Sequence, residues 1–159
     1  MTGCATTDAT RRSVSRAAGP TRPPAADGRH SDTAAGLFAT PILIIEDEAI
    51  LAWMIEELLE QAGFHAIEVA ASGDQALQAA RRRMPGIIIS DVNLGAGIDG
   101  IEASRAICEE SDIPVIFVTG FAADTMAARL EREMPRASLL RKPLDGAVLM
   151  RAVMRLLAN

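Results

Sequence analysis

The chain has 159 residues, of which 49% are hydrophobic and 23% are charged, so its length and composition suit one globular domain. The formal net charge of −5 argues against a nucleic-acid-binding protein, which normally carries a basic face. Cys4 and Cys108, the two cysteines, have no CxxC or Cys/His cluster around them, which argues against a disulfide scaffold and a structural zinc site. This cysteine usage suits a reducing cytosol, so we expect a cytoplasmic protein. No apolar run approaches the roughly 20 residues that span a bilayer, so we expect no membrane segment.

Residues 1–40 differ in composition from the rest of the chain. They consist largely of Thr, Ala, Ser, Arg, Pro and Gly, and Leu37 and Phe38 are their only large apolar pair. Such a segment cannot bury enough apolar surface to offset its ordering entropy. We therefore predict a disordered N-terminal tail or leader over residues 1–40 and a domain over residues 41–159.

From residue 41 onward, short apolar runs typical of buried strands alternate with segments of helical spacing. In chain order, the pattern predicts strand 42–45, helix 50–62, strand 64–70, helix 74–84, strand 87–89, helix 100–110, strand 114–119, helix 125–134, strand 137–140 and helix 145–158. Strands that alternate with helices through short loops predict an α/β fold, in which a doubly wound five-stranded parallel sheet is covered by five helices.

Polar residues with a common chemistry follow four of the predicted strands. Glu46 and Asp47 follow the first strand, Asp91 follows the third, Thr119 ends the fourth, and Lys142 follows the fifth. The carboxyl ends of parallel strands meet at one edge of the sheet, so we expect these side chains to converge there. Clustered carboxylates favour a hard cation such as Mg²⁺ or Mn²⁺, and a carboxylate beside a cation, a hydroxyl and a lysine can accept a phosphoryl group. Any single one of these polar residues could stand at a strand end by chance, because strand ends in α/β domains are often polar.

The segments that carry these residues resemble one known family, the receiver domains of two-component response regulators. The resemblance spans residues 41–158 and rests on Ile-Leu-Ile-Ile-Glu46-Asp47-Glu48, Ile-Ile-Ile-Ser-Asp91, Asp99-Gly100-Ile-Glu, Val-Thr119-Gly and Lys142-Pro143. It implies a flavodoxin-like receiver fold for the predicted sheet.

The resemblance also implies a role for each residue of the cluster. Asp91 would be the phosphoacceptor for a histidine kinase or phosphotransfer protein, and Thr119 and Lys142 would bind the phosphoryl oxygens. Asp47, Asp91 and the Asn93 carbonyl would bind Mg²⁺. The remaining implied features are contact of Glu46 with the ion, directly or through water, and a cis bond between Lys142 and Pro143.

Two segments depart from the usual pattern of the family. After Asp91, the common Met-Pro is replaced by Leu94-Gly95, and Asp99-Gly100 comes one residue later than usual, which lengthens the loop. The residue three positions before Lys142 is normally Tyr or Phe but is Leu139 here, so a rotating ring at that position cannot report phosphorylation.

The stretch 117–121, Phe-Val-Thr-Gly-Phe, resembles the Phe-Ala-Thr-Gly-Tyr stretch of a stand-alone receiver subgroup.

Two helix surfaces are candidates for protein contacts. On helix 50–62, Leu51, Ile55, Leu58 and Ala62 form the predicted buried stripe, and Trp53 points away from it. Exposed aromatic residues favour interfaces, although Trp53 packed over a neighbouring helix is an equal alternative. On the last helix, apolar residues extend past one stripe. In receivers that helix borders the face used for dimers and partners, so the resemblance implies a contact surface there, such as a homodimer contact, rather than a merely well-covered core edge.

We therefore predict a stand-alone receiver that accepts a phosphoryl group on Asp91 and signals, or takes part in a phosphorelay, by protein contact. Its expected partners are a histidine kinase or phosphotransfer protein, and no nucleic acid or membrane. The alternative is a Mg²⁺-dependent phosphatase or a small-ligand-binding flavodoxin-like domain. Against a phosphatase, Asn93 stands where aspartate-nucleophile phosphatases have a second aspartate, and no Gly-rich phosphate loop follows the first strand.

Overall fold

The computed structural model of the chain describes residues 36–120 and 123–158, and for residues 123–125 it describes the backbone. The elements are β1 (Ile42–Ile45), α1 (Ala49–Gln61), β2 (Ile67–Ala70), α2 (Gly73–Arg82), β3 (Ile87–Asp91), α3 (Gly100–Cys108), β4 (Val115–Thr119), α4 (Ala123–Glu133), β5 (Ser138–Arg141) and α5 (Gly146–Leu157). All strands pair in parallel in the order β2-β1-β3-β4-β5. The predicted fold class is confirmed, with an additional helical segment at residues 36–38.

The three central strands are buried on both faces because helices cover the two sides of the sheet. Ile42 and Ile44 of β1 pack in a cluster with α1 and α5, whereas Leu43 and Ile45 pack in a cluster with α2, α3 and α4. This alternation follows from the two-residue period of a strand. Burial of each such side chain contributes roughly 1.5–3 kcal/mol to folding, so the continuous apolar runs define the centre of the sheet.

The register of the sheet places the carboxyl ends of β1, β3, β4 and β5 at one edge. Ile45 pairs with Ser90, and Thr119 pairs with Arg141. The strand order reverses direction between β1 and β3, which is the position where open α/β sheets form a crevice. The residues that follow these strands therefore meet across that crevice.

The buried face of α1 differs from the predicted stripe. Ala52, Ile55 and Leu59 are buried, and the other members of the predicted stripe are half-buried. Leu58 instead faces α5, where a Cβ atom on Gly146 would lie 3.0 Å from a Leu58 methyl group. The prediction missed this rotation because α1 packs on a helix as well as on the sheet.

β2 begins at Ile67, three residues later than predicted, and this is the largest error in an element boundary. The N–H of Phe64 donates to the carbonyl of Leu59 at 3.0 Å and closes the end of α1. Gly63 makes this turn with φ of 102°, a conformation that glycine adopts without steric cost. Phe64 therefore belongs to the end of α1, although it is fully buried. All other elements begin and end within two residues of the predicted positions.

Residues 36–40 contact the domain although they precede the predicted boundary at residue 41. The Phe38 ring packs edge-on against Phe64 with ring centroids 5.3 Å apart. Thr40 lies against Gly86, where a Cβ atom would be 2.5 Å from the Thr40 methyl group. The division into a tail and a domain stays a prediction, since residues 1–35 lie outside the described part of the chain.

The described helices are all too short or too polar to cross a lipid bilayer.

Candidate functional site

Three carboxylates converge at the carboxyl edge of the sheet. Glu46, Asp47 and Asp91 each offer an oxygen, and these oxygens all lie within 4.8 Å of one another. Glu46 and Asp91 are buried, with 2% and 8% of their surfaces exposed, whereas Asp47 is exposed. Carboxylates this close repel one another, and an all-oxygen donor set suits a hard divalent cation. The residues present thus fit Mg²⁺.

Lys142 supplies positive charge to the two buried carboxylates. Its Nζ donates to Asp91 Oδ2 at 2.7 Å and to Glu46 Oε2 at 3.1 Å. Its backbone N–H donates to the Thr119 carbonyl at 2.7 Å, which fixes the chain after β5 beside the end of β4. The expected cis bond between Lys142 and Pro143 is confirmed.

The environment shifts the pKa of two groups in this cluster. Burial raises the pKa of Glu46 above its ordinary value, and the nearby Asp91 charge adds to the rise, although hydrogen bonds from the Glu48 N–H and from Lys142 oppose it. Burial alone would lower the pKa of Lys142, but hydrogen bonds to Asp91 and Glu46 and their charges raise it overall. Lys142 therefore remains an ammonium group beside Asp91 at neutral pH.

The end of β3 holds Asp91 through backbone contacts. The N–H of Asn93 donates to Asp91 Oδ1 at 3.1 Å, so both carboxylate oxygens of Asp91 have a partner. The Ser90 hydroxyl donates to the Asp91 carbonyl at 2.8 Å. A Cβ atom on Gly100 would lie 1.8 Å from that same carbonyl oxygen, so only glycine lets the start of α3 approach the strand this closely. Asn93 itself is exposed.

The lengthened loop between β3 and α3 reaches across the site to the end of β1. The N–H of Gly95 donates to Asp47 Oδ2 at 3.0 Å. At the far end of the loop, Asp99 caps α3 in a capping box with Glu102, and Arg129 of α4 donates to Asp99 at 2.5 Å. The contact of Gly95 was not predicted, and its one signal in the sequence is the replacement of the common proline, which supplies a backbone N–H at this position.

The remaining predicted residues lie at or near the same edge. Thr119 is fully buried at the end of β4. Leu139 is half-buried and packs with the α2, α3 and α4 cluster, as expected for an aliphatic residue in place of a ring. Phe121, the last residue of the stretch that resembles the stand-alone subgroup, lies outside the described residues.

An apolar surface lies on the first turns of α1, close in sequence to Asp47. Trp53 is 63% exposed and Ile50 is 76% exposed, so the prediction that Trp53 points away from the core is confirmed. On α5, Leu149 and Val153 are buried and Met154 is 38% exposed. Val148 of α5 is also 36% exposed, so apolar surface remains open on this helix.

Comparisons with known proteins agree with the predicted family. A protein-family model described as the response regulator receiver domain matches residues 42–154. The phyllosphere-induced regulator PhyR of Methylorubrum extorquens is 36% identical over 111 residues, which are 69% of this chain and 40% of PhyR. The transcriptional regulatory protein CseB of Streptomyces avermitilis is 35% identical over 119 residues, which are 73% of this chain and 49% of CseB. The chain thus matches half or less of the length of these relatives.

Solved structures give the same result. A response regulator receiver protein from Sinorhizobium medicae superposes with a TM-score of 0.69 at 30% identity, covering 76% of this chain and 95% of that one. The receiver domain of PhyR from Erythrobacter litoralis gives a TM-score of 0.66, also at 30% identity, covering 76% and 91%. The similarity therefore extends over nearly all of each of these two receiver chains.

Proposed function

Because the chain belongs to the response regulator receiver family, whose members are phospho-accepting switches, we propose that Asp91 accepts a phosphoryl group from a histidine kinase or phosphotransfer protein. One observation carries the assignment to Asp91. Its carboxylate ends a central strand, is nearly buried, and contacts both the ammonium of Lys142 and the N–H of Asn93. A carboxylate held in this way is oriented for attack and lies beside a cationic group that can bind the incoming phosphoryl oxygens.

The proposed transfer uses groups that are already in place. An oxygen of Asp91 forms a bond to phosphorus while the bond between phosphorus and the donor's leaving group breaks, and the donor's imidazole nitrogen keeps that electron pair. Lys142 would then exchange part of its contact with Asp91 for a phosphoryl oxygen. Thr119, at the end of the neighbouring strand, would contribute its hydroxyl to a second oxygen.

Receiver domains generally bind Mg²⁺ in an acidic pocket, and we assign that pocket here to Asp47, Asp91 and the Asn93 carbonyl. Glu46 would reach the ion directly or through water. When bound, Mg²⁺ would neutralise negative charge on the phosphoryl oxygens. Among the described residues, Lys142 is the cationic group that pairs with the buried carboxylates of Glu46 and Asp91.

We propose that the chain both receives the phosphoryl group and signals through protein contact. Trp53 and Ile50 form an exposed apolar surface on α1, and large apolar groups at a surface are typical of protein interfaces. We propose this surface as the docking position for the kinase or phosphotransfer protein. A homodimer through α5, a stand-alone mode of action and a cytoplasmic location stay predictions.

The test is phosphorylation by a small phosphodonor such as acetyl phosphate, read by intact mass. The unmodified chain should gain one phosphoryl group in the presence of Mg²⁺ and none after chelation. Asp91→Asn keeps the shape of the side chain but removes the nucleophile, so this variant should gain nothing. Asp112→Asn is the matched control, because Asp112 is an exposed aspartate at the opposite end of the sheet, and it should behave like the unmodified chain.

Two outcomes would contradict the proposal. Phosphoryl gain in Asp91→Asn at the unmodified rate would mean that another residue is the acceptor. Continuous release of inorganic phosphate without any gain of mass would favour a phosphatase instead.

A further inference from the structure

We propose that the backbone N–H of Gly95 is a positioning group for the metal site, which holds the Asp47 carboxylate in place for Mg²⁺. The inference rests on the proposed function, because it assigns Mg²⁺ to the cluster of Glu46, Asp47 and Asp91. It goes further, because it gives a role to a loop residue outside that cluster.

The first observation is the contact itself. Asp47 is the exposed member of the cluster, so its side chain is the one that burial does not fix. The N–H of Gly95 donates to Asp47 Oδ2 at 3.0 Å across the crevice. A carboxylate has two oxygens with about four acceptor positions, so one hydrogen bond leaves room for a cation. The contact therefore orients the Asp47 carboxylate and leaves other acceptor positions open for a cation.

The second observation is that the loop is anchored on the C-terminal side of Gly95. Ile98 lies in the space beside Gly73 of α2, where a Cβ atom would be 2.4 Å from its side chain. Gly97 has φ of 105°, which other residues adopt only with strain. Gly100 packs on the Asp91 carbonyl at the end of the loop. The N–H of Gly95 is thus presented by a segment that packing holds in place.

The third observation comes from the sequence. Leu94-Gly95 stands where the family pattern commonly has Met-Pro, and proline has no backbone N–H. Glycine therefore adds a donor at a position where the common residue has none. Groups that orient a metal ligand typically change metal affinity by 10- to 100-fold when they are removed. Because Asp47 is exposed to water, we expect the lower end of this range.

The experiment compares Mg²⁺ binding by titration calorimetry in the full unphosphorylated chain and two variants. Gly95→Pro removes the donor and should raise the Kd for Mg²⁺ roughly tenfold. Gly95→Ala keeps the donor, and its Cβ atom would lie 3.2 Å from Asp47 Oδ2, so its Kd should stay within about twofold of the unmodified value. Equal affinity in Gly95→Pro and the unmodified chain would overturn the inference, as would equal weakening in both variants.

A second measurement does not depend on the folding of Gly95→Pro. In the metal-free chain, exchange of the Gly95 amide hydrogen, followed by NMR, should be faster in Asp47→Ala than in the unmodified chain, and unchanged exchange would overturn the inference. Failure of the proposed function gives a different result. An unmodified chain that does not bind Mg²⁺ would overturn the metal assignment and this inference together, whereas binding that ignores Gly95→Pro would overturn the inference alone.

Discussion

The two ends of the sheet use charged residues in opposite ways. At the carboxyl end, Lys142, Glu46 and Asp91 form ion pairs in which the side chains are 22%, 1% and 9% exposed. At the amino end, Arg136 pairs with Asp112, and these side chains are 82% and 75% exposed. The same types of residue are thus buried together at one end and solvated at the other.

The difference in burial separates charges with a large desolvation cost from charges with almost none. Burying a carboxylate costs free energy unless it is paired and hydrogen-bonded, and the carboxyl end buries two of them around one ammonium. Exposed ion pairs contribute about 0–1 kcal/mol each, so those at the amino end affect stability little. The buried carboxylates at the carboxyl end therefore lower stability, and the proposed cation binding and phosphoryl transfer give a reason for their burial.

Two cavities in the described part of the chain lie away from the proposed site. A cavity of about 620 Å³ lies at the amino end beside Cys108 and Met134, and one of about 150 Å³ lies there beside His65 and Arg83. Neither is lined by Asp91 or by the residues around it. In this fold, buried charge marks the candidate site better than volume does.

Among the charged groups at the two ends of the sheet, removal of the Lys142 charge should have the largest effect, and the effect is on phosphoryl uptake. Lys142→Met keeps a similar side-chain length but removes the cationic group beside Asp91, so phosphoryl uptake from acetyl phosphate should slow by about 100-fold. The matched control is Arg81→Met, which removes an exposed cation in the last turn of α2 at the amino end. Rates of uptake by intact mass check this, and equal slowing in both variants would exclude a local role for Lys142.

The exposed apolar surface of α1 should affect transfer from a protein donor only. Trp53→Ala removes a large side chain that is 63% exposed, so transfer from the partner should slow by roughly tenfold, while uptake from acetyl phosphate stays unchanged. Met84→Ala, at an exposed apolar residue of the amino end, should change neither rate. Slower uptake from acetyl phosphate in Trp53→Ala would show that Trp53 supports the site rather than the partner.

A smaller effect is expected at the cap of α3. Partial burial alone would raise the pKa of Asp99, but the hydrogen bond from Arg129, the N–H of Glu102 and the Arg129 charge lower it below its ordinary value of 3.8. A carboxylate whose pKa is lowered by folding stabilises the fold fully at pH values above its ordinary, unfolded pKa. This stability is lost as the pH falls through the pKa of the folded state. Asp99→Asn keeps an N-cap but loses the charge, so it should lower the free energy of unfolding by about 0.5–1 kcal/mol at pH 7. The difference, measured by urea unfolding, should vanish at low pH, and a difference that persists there would contradict a charge effect.

The smallest effect is expected at the amino end. Asp112→Asn breaks the exposed pair with Arg136 and should change the free energy of unfolding by less than about 0.5 kcal/mol. Urea unfolding in low and high salt checks this. A loss of unfolding free energy larger than that of Asp99→Asn would contradict this, because the exposed pair at the amino end would then contribute more to stability than the charge of Asp99.

The fold was predictable because its central strands are buried on both faces. Continuous apolar runs such as 42–45 and 87–89 alternate with segments of helical spacing. In that context, such runs fit few structures other than the buried strands of a parallel sheet. The convergence of Glu46, Asp91 and Lys142 was predictable for a related reason, since parallel topology brings strand ends to one edge.

What sequence patterns missed depends on backbone groups and on helix-to-helix packing. The replacement of proline by Gly95 signals that a backbone donor is present, but a backbone N–H has no side-chain pattern that names its partner, so the contact with Asp47 could be found only in the structure. The rotation of α1 depends on the approach of Gly146 to Leu58, which hydrophobic spacing along one helix does not encode. Phe38 was assigned to the tail because its partner, Phe64, lies 26 positions further along the chain.

Lys142 is the only lysine in a chain that otherwise uses arginine for positive charge, and this makes the site chemically addressable. Apart from the amino terminus, a reagent selective for amines has a single target, and that target contacts Asp91. Only the deprotonated amine reacts, and the raised pKa of Lys142 keeps it protonated. The extent of labelling at this one residue therefore reports how firmly the ammonium is held by its carboxylates, without any substitution in the protein.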